Sequence, residues 1–203
     1  MQTFILTSPR QHSRIEHVAQ VMEYPCIACA TADCSHLPEW MRPHAVPLEG
    51  ATSDPDPYHR IASMRNFARC LRGSETDVLL VECDTAVTRG FHAKLKTCIA
   101  ECSAITERYA LTLYHTAKLT ETPIEHVDSA RWNGAQAVYF PKLVVPSVSE
   151  AFDRELLHSP RRWRGNDFVI SQWCLATGAL LFAANPSLVQ HRGPSHSSPT
   201  FAL

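Results

Sequence analysis

The segment Asp77-Val-Leu-Leu-Val-Glu-Cys-Asp84 is an apolar run that stops on two carboxylates spaced one residue apart, with Thr85 next. Such a run reads as a buried strand. Its end delivers hard oxygen ligands to the carboxyl edge of a sheet, where open α/β folds bind ligands. On a strand that continues through the pair, Glu82 and Asp84 point to one face and Cys83 to the other. Two carboxylates so placed can hold a divalent cation against a diphosphate. A plainer role fits the same residues, because Asp84 or Thr85 can cap a following helix.

Size and charge set the frame for that strand. A chain of 203 residues with 45% apolar content can build one sizeable core. The formal charge is -1, which gives no global electrostatic reason for avid nucleic-acid binding. No apolar run approaches the roughly 20 residues that cross a bilayer, and Met1-Gln-Thr-Phe-Ile-Leu-Thr7 leads into a strand rather than a signal core. A cytoplasmic location is expected, and in that compartment the 8 cysteines are free thiols. Cys26-Ile-Ala-Cys29, with Cys34 and His36 beyond, has a zinc-like spacing, but the first pair falls in a strand-like run and no second CxxC follows.

Strands and helices alternate along the chain. Strands are expected at 3–7, 26–31, 77–84, 109–114, 132–140, 179–183 and 187–190. Helices are expected near 13–22, 58–71, 88–106, 147–157 and 167–177. The alternation predicts one α/β domain with a mostly parallel sheet covered on both faces. Two long polar connections interrupt it, at 33–57 and 115–132, and long loops inside a compact domain are usually functional or mobile. The Pro-, Ser- and His-rich end after Gly193 reads as a flexible tail.

Separated motifs then resemble a family. Arg65-Asn-Phe-Ala-Arg-Cys-Leu-Arg72 lies before the apolar strand, Glu82-Cys-Asp84 stands where a DxD motif would, and Asn133-Gly-Ala-Gln136 is similar to a glycine loop. Gly165-Asn-Asp167 opens a late helix, and Pro186-Ser-Leu-Val-Gln-His191-Arg-Gly forms a late strand. In this order they resemble the GT-A fold glycosyltransferases, close in style to family 2, over residues 1 to 195. Residues 196 to 203 are left as the tail. Glu82 replaces the first Asp of the motif.

The resemblance implies a Rossmann-like GT-A domain that moves a sugar from a nucleotide diphosphate sugar, UDP-sugar favoured, to an acceptor hydroxyl. It implies donor contacts from Thr7, Ser8, Arg65, Asn66, Glu82, Asp84 and Gly134, and a manganese or magnesium site built on Asp84 and His191. A cation there would act as the Lewis acid for departure of the diphosphate, and an imidazole with carboxylates suits manganese as well as magnesium. Direct displacement needs a base to take the acceptor proton. Asp167 fits that role in an inverting enzyme, and fits equally a carboxylate at a helix start with Asn166 as its cap. Thr7 and Ser8 are also ordinary turn formers, Gly134 also permits a turn, and Trp132 and Trp163 suit sugar stacking or a core.

Arg161, Arg162 and Arg164 form a cationic cluster before Asp167 that suits phosphates on the acceptor side, or a solubilising turn. The acceptor classes left open are a saccharide or lipid-linked saccharide and a hydroxylated base in DNA, the latter unstacked into a pocket. A nucleotidyltransferase would want a glycine-rich phosphate loop after the first strand, and Thr7-Ser-Pro-Arg-Gln-His12 has no glycine. A non-catalytic nucleotide-sugar or nucleic-acid binding module stays open beside the enzyme.

Overall fold

A computed structural model describes residues 1–7, 15–22, 26–29, 34–35, 37–47, 60–115, 121–132, 134–158 and 165–191, with backbone only at 60 and 191. The strands are β1 (Gln2–Thr7), β2 (Cys26–Cys29), β3 (Ala45–Val46), β4 (Val78–Glu82), β5 (Thr85–Val87), β6 (Tyr109–Thr112), β7 (Ile124–His126), β8 (Ala137–Phe140), β9 (Leu180–Ala184) and β10 (Val189–His191). The helices are α1 (Ile15–Val21), α2 (Arg60–Leu71), α3 (Phe91–Ile105), α4 (Val145–His158) and α5 (Asn166–Thr177).

The main sheet has 8 strands in the order β3-β2-β1-β4-β8-β6-β9-β7. β1, β2, β3, β4, β6 and β9 run one way, and β7 and β8 run against them. The expected α/β architecture is therefore present as a mixed, mostly parallel sheet flanked by helices. β4 lies centrally between β1 and β8, which is why its sequence is apolar on both faces. Val78 and Leu80 face one core and Leu79 and Val81 the other, as the two-residue period of a strand requires. α2, α4 and α5 cover the first core with Phe67, Phe152 and Trp173, while α1 and α3 cover the second with Ile15, Val18, Phe91 and Leu95. Phe67 stacks on Phe152 at 4.8 Å between ring centroids and meets Phe140 edge-on at 6.3 Å, geometries that aromatic quadrupoles favour.

Several expectations change. The strand does not run through to Asp84: β4 ends at Glu82, and Cys83-Asp84 is a turn closed by the Thr85 hydroxyl on Glu82 O at 2.8 Å. After the Cys83 amide bonds Leu6 O at 3.0 Å, the chain leaves the sheet for β5, so strand alternation cannot orient Asp84. β5 itself was not foreseen; it pairs antiparallel with β10 in a separate two-stranded sheet. The connection 115–132 holds the edge strand β7, whose three residues pair with β9 but carry too short a pattern to read in sequence. In the other long connection, residues Glu39–His44 form a 3-10 turn leading into β3.

Ser8, Asn133, the arginine cluster at 161–164, Trp163, Arg192, His36, His196 and the tail 196–203 lie outside the described residues. Among the described residues no helix is long and apolar enough to cross a membrane.

Candidate functional site at the carboxyl edge of the sheet

The direction of the strands places the sequence motifs. β1 and β4 run parallel and end together, with Leu6 opposite Glu82. Thr7 at the tip of β1 is buried, and its hydroxyl accepts from the Cys83 thiol at 3.5 Å. β8 runs against β4, so the segment that leads into β8 arrives at this same edge, and the Glu82 amide donates to Gln136 O at 2.7 Å. The glycine loop and the carboxylate turn are thus joined by one rung of the sheet.

Gly134 is held in a conformation only glycine adopts freely, at φ 130°. A Cβ there would lie 3.1 Å from Gln136 Oε1 and 3.1 Å from Tyr114 Cδ1. The Thr112 hydroxyl, at the end of β6, sits 3.2 Å from Gly134 O and 2.9 Å from Tyr114 O. This clasp between β6 and the loop had no local sequence signal, because its partners are far apart in the chain.

α5 brings Asp167 to the same edge. The helix runs back through Gly178 into the start of β9, so its first turn lies where β9 ends. α2 has the same sense: the turn after it meets the start of β1 through Ser74 Oγ and Gln2 Oε1 at 3.3 Å. The Asn166 amide donates to the Ser63 hydroxyl in the first turn of α2 at 3.1 Å, fixing one helix start upon the other. Asp167 is half-buried, and its carboxylate accepts from the Phe168 amide at 2.9 Å. A Cβ on Gly165 would collide with that carboxylate.

Asp84 is buried in its turn and Glu82 is half-buried at the strand end. β10 returns His191 to a backbone position opposite Thr85, the residue after Asp84. Carboxylates such as Glu82 and Asp84 are ligand types that suit a hard divalent cation such as manganese or magnesium. Among the described residues, which omit the His191 side chain, no group of three or more His, Cys, Asp or Glu could hold a metal ion. Cys26, Cys29 and Cys34 form no such group. Cys29 lies against Cys34, and burial together with that hydrogen bond pushes its thiol well above the ordinary range.

The Arg-Asn motif divides. Arg65 is exposed on α2. Asn66 is buried and donates to Ala28 O at 2.8 Å, while its oxygen accepts from Arg69 Nε at 2.8 Å. Arg69 also reaches Pro47 O, Val46 O and Cys29 O. These bonds lash α2 to the ends of β2 and β3 on the flank of the site. Trp132 is packed in the core beneath α5.

His115, just beyond β6, was not singled out in the sequence. Its amide donates to the Ser187 hydroxyl at 2.9 Å and its carbonyl accepts from that hydroxyl at 2.7 Å. Burial lowers the imidazole pKa, and the nearby Glu125 charge partly restores it. A cavity of about 300 Å³ lies elsewhere, between α4 and α5, lined by Ser147, Glu150, Arg154, Phe168, Gln172 and Trp173. It draws no residue from the strand ends.

No family model matches the chain and no curated protein matches its sequence. Among solved structures, the mannose-1-phosphate geranyltransferase from Thermus thermophilus is similar over 91% of this chain and 74% of its own, at 13% identity and a TM-score of 0.44. A likeness of that degree carries no inference about what this chain does.

Proposed function

We propose that the chain is a nucleotide-sugar-dependent glycosyltransferase of the GT-A type, with residues 1–195 as one catalytic domain. The observation that supports this reading is convergence. Thr7, the Glu82-Cys83-Asp84 turn, the Gly134–Gln136 loop, the Asn166-Asp167 helix start and the backbone of His191 come from distant segments and gather at one sheet edge.

In this reading the diphosphate of a UDP-sugar lies by the β4–β5 turn, with Asp84, Glu82 and His191 as the residues that would hold a manganese or magnesium ion. Bound there, the cation would neutralise charge on the leaving diphosphate. The acceptor oxygen forms its bond to the anomeric carbon as the bond to the diphosphate breaks, and Asp167 takes the hydroxyl proton, giving inversion. The helix start that carries this half-buried carboxylate is held by the Asn166–Ser63 hydrogen bond, which supports the role. The acceptor is a saccharide or lipid-linked saccharide hydroxyl, with a hydroxylated DNA base as its competitor.

The test is thermal unfolding with nucleoside diphosphates and nucleotide sugars, each with and without manganese. A ligand that binds only the folded chain raises the midpoint. A manganese-dependent rise with one nucleotide is expected. No rise with any of them would remove the basis of the proposal. Transfer of labelled sugar to saccharide or to DNA then identifies the acceptor, and binding without hydrolysis or transfer would favour a binding module.

A further inference from the structure

We infer that Tyr114 is a specificity residue for the donor sugar: its hydroxyl bonds a hydroxyl of that sugar, and its ring forms a fixed wall beside it. The inference rests on the nucleotide-sugar reading above and adds to it a residue that no motif in the chain marks.

Tyr114 lies just past the end of β6, and the strand order fixes where that is. β8 stands between β4 and β6. At the carboxyl edge, the segment that enters β8 therefore separates the tip of β4, with Glu82 and the Asp84 turn, from the tip of β6. Two strand spacings of about 4.8 Å put the Tyr114 backbone roughly 10 Å from that turn. A sugar whose diphosphate is held at the turn comes within reach of a tyrosine side chain at β6.

The side chain is rigidly placed. The Leu113 amide donates to Ala137 O at 2.9 Å, and the Thr112 hydroxyl donates to Tyr114 O at 2.9 Å. His115 exchanges two bonds with the Ser187 hydroxyl, at 2.9 and 2.7 Å. The ring packs on the core beneath α1 and α3, and a Cβ on Gly134 would lie 3.1 Å from its Cδ1 and 3.6 Å from its Cε1. That contact closes the space between ring and loop, so no ligand group enters there. The far end of the ring is different. Tyr114 is half-buried, its hydroxyl is not among the buried polar atoms that lack a partner, and it bonds no described residue. A hydroxyl left open at the end of a fixed ring takes up a ligand with little loss of side-chain freedom.

The chemistry of the side chain selects the part of the ligand. A phenol both donates and accepts, as a sugar hydroxyl does, and its ring suits the apolar C–H surface of a sugar. A site built to bond one hydroxyl rejects an analogue that lacks it more sharply than an apolar wall does.

The experiment compares the wild-type chain with Tyr114→Phe, which keeps the ring on Gly134 and removes only the hydroxyl. Thermal unfolding is measured without ligand, with UDP and manganese, and with manganese and a panel of UDP-sugars that includes singly deoxygenated analogues of the preferred one. The ligand-free variant is expected to melt as wild type does, because the lost hydroxyl bonds no described residue. Its response to UDP should persist, and its affinity for the preferred UDP-sugar should fall about tenfold. One deoxygenated analogue, lacking the bonded hydroxyl, should bind both chains alike. Unchanged affinity for the UDP-sugar in the variant, or an equal loss for every analogue, would overturn the Tyr114 assignment and leave the nucleotide-sugar reading standing. Loss of the UDP response as well would overturn it in favour of a nucleotide contact. A wild-type chain that responds to no nucleotide would overturn both.

Discussion

The amide of Glu82 and the carbonyl of Gln136 meet at 2.7 Å across the β4–β8 edge. That bond ties the carboxylate turn to the glycine loop, so substitutions on either side are expected to act on the same ligand.

Asp84 and Asp167 should separate binding from chemistry. Asp84→Ala is expected to abolish the manganese-dependent rise in midpoint. Asp167→Asn should keep it and lower transfer by about 10²–10⁴-fold, the usual worth of a general base. Calorimetric binding beside a transfer assay checks this, and equal loss of donor binding in both variants would defeat the division of roles.

Gly165→Ala tests how Asp167 is aimed. The added methyl meets the Asp167 carboxylate, a side-chain end that can swing away, so stability should change by less than about 0.5 kcal/mol. Turnover should drop with donor affinity kept. Unaltered turnover would mean that the carboxylate position in this structure is not the working one.

Gly134→Ala should cost about 1–3 kcal/mol, since it forces a side chain into a φ of 130° and against Tyr114. Urea denaturation measures the loss. A variant as stable as wild type would show that the loop relaxes freely and is no fixed wall of the site.

Asn66→Ala removes the donor to Ala28 O and the acceptor for Arg69. A loss of about 1–3 kcal/mol is expected in the same denaturation experiment. If instead stability holds and only donor affinity falls, Asn66 serves the ligand rather than the frame.

Stability should decline in mild acid. Burial lowers the His115 pKa below its ordinary 6.5 in the folded chain, so the unfolded chain binds that proton more readily. The contribution is present above about pH 6.5 and is lost as pH falls from there through the lower folded value. Melting between pH 7.5 and 5 should show this slope, and His115→Gln should flatten it. An equal slope in the variant would assign the effect to other groups.

Much of the frame was legible in the chain alone. The apolar run at 78–81, the 3.6-residue patterns of α2 and α4, and the turn before β8 each carry their signal within a few neighbouring residues. Short elements did not. β5 and β7 have three residues each and β3 two, too few to display a period, and exist because a distant partner supplies their hydrogen bonds.

The site divides along the same line. Local chemistry in the chain marked Glu82 and Asp84 as candidates, because residue type and position at the end of an element depend on near neighbours alone; Gly134 and Asp167 were added by the family resemblance. Strand direction and register were needed to bring them to one edge. The turn at Cys83-Asp84, which takes Asp84 out of strand alternation, depends on where β4 runs out of partners. The commitment of Asn66 to Ala28 and Arg69 is likewise decided by the packing of α2 on β2. Which hydrogen bonds a residue makes across the fold is fixed by strands and helices far from it in the chain, so no local pattern can carry that information.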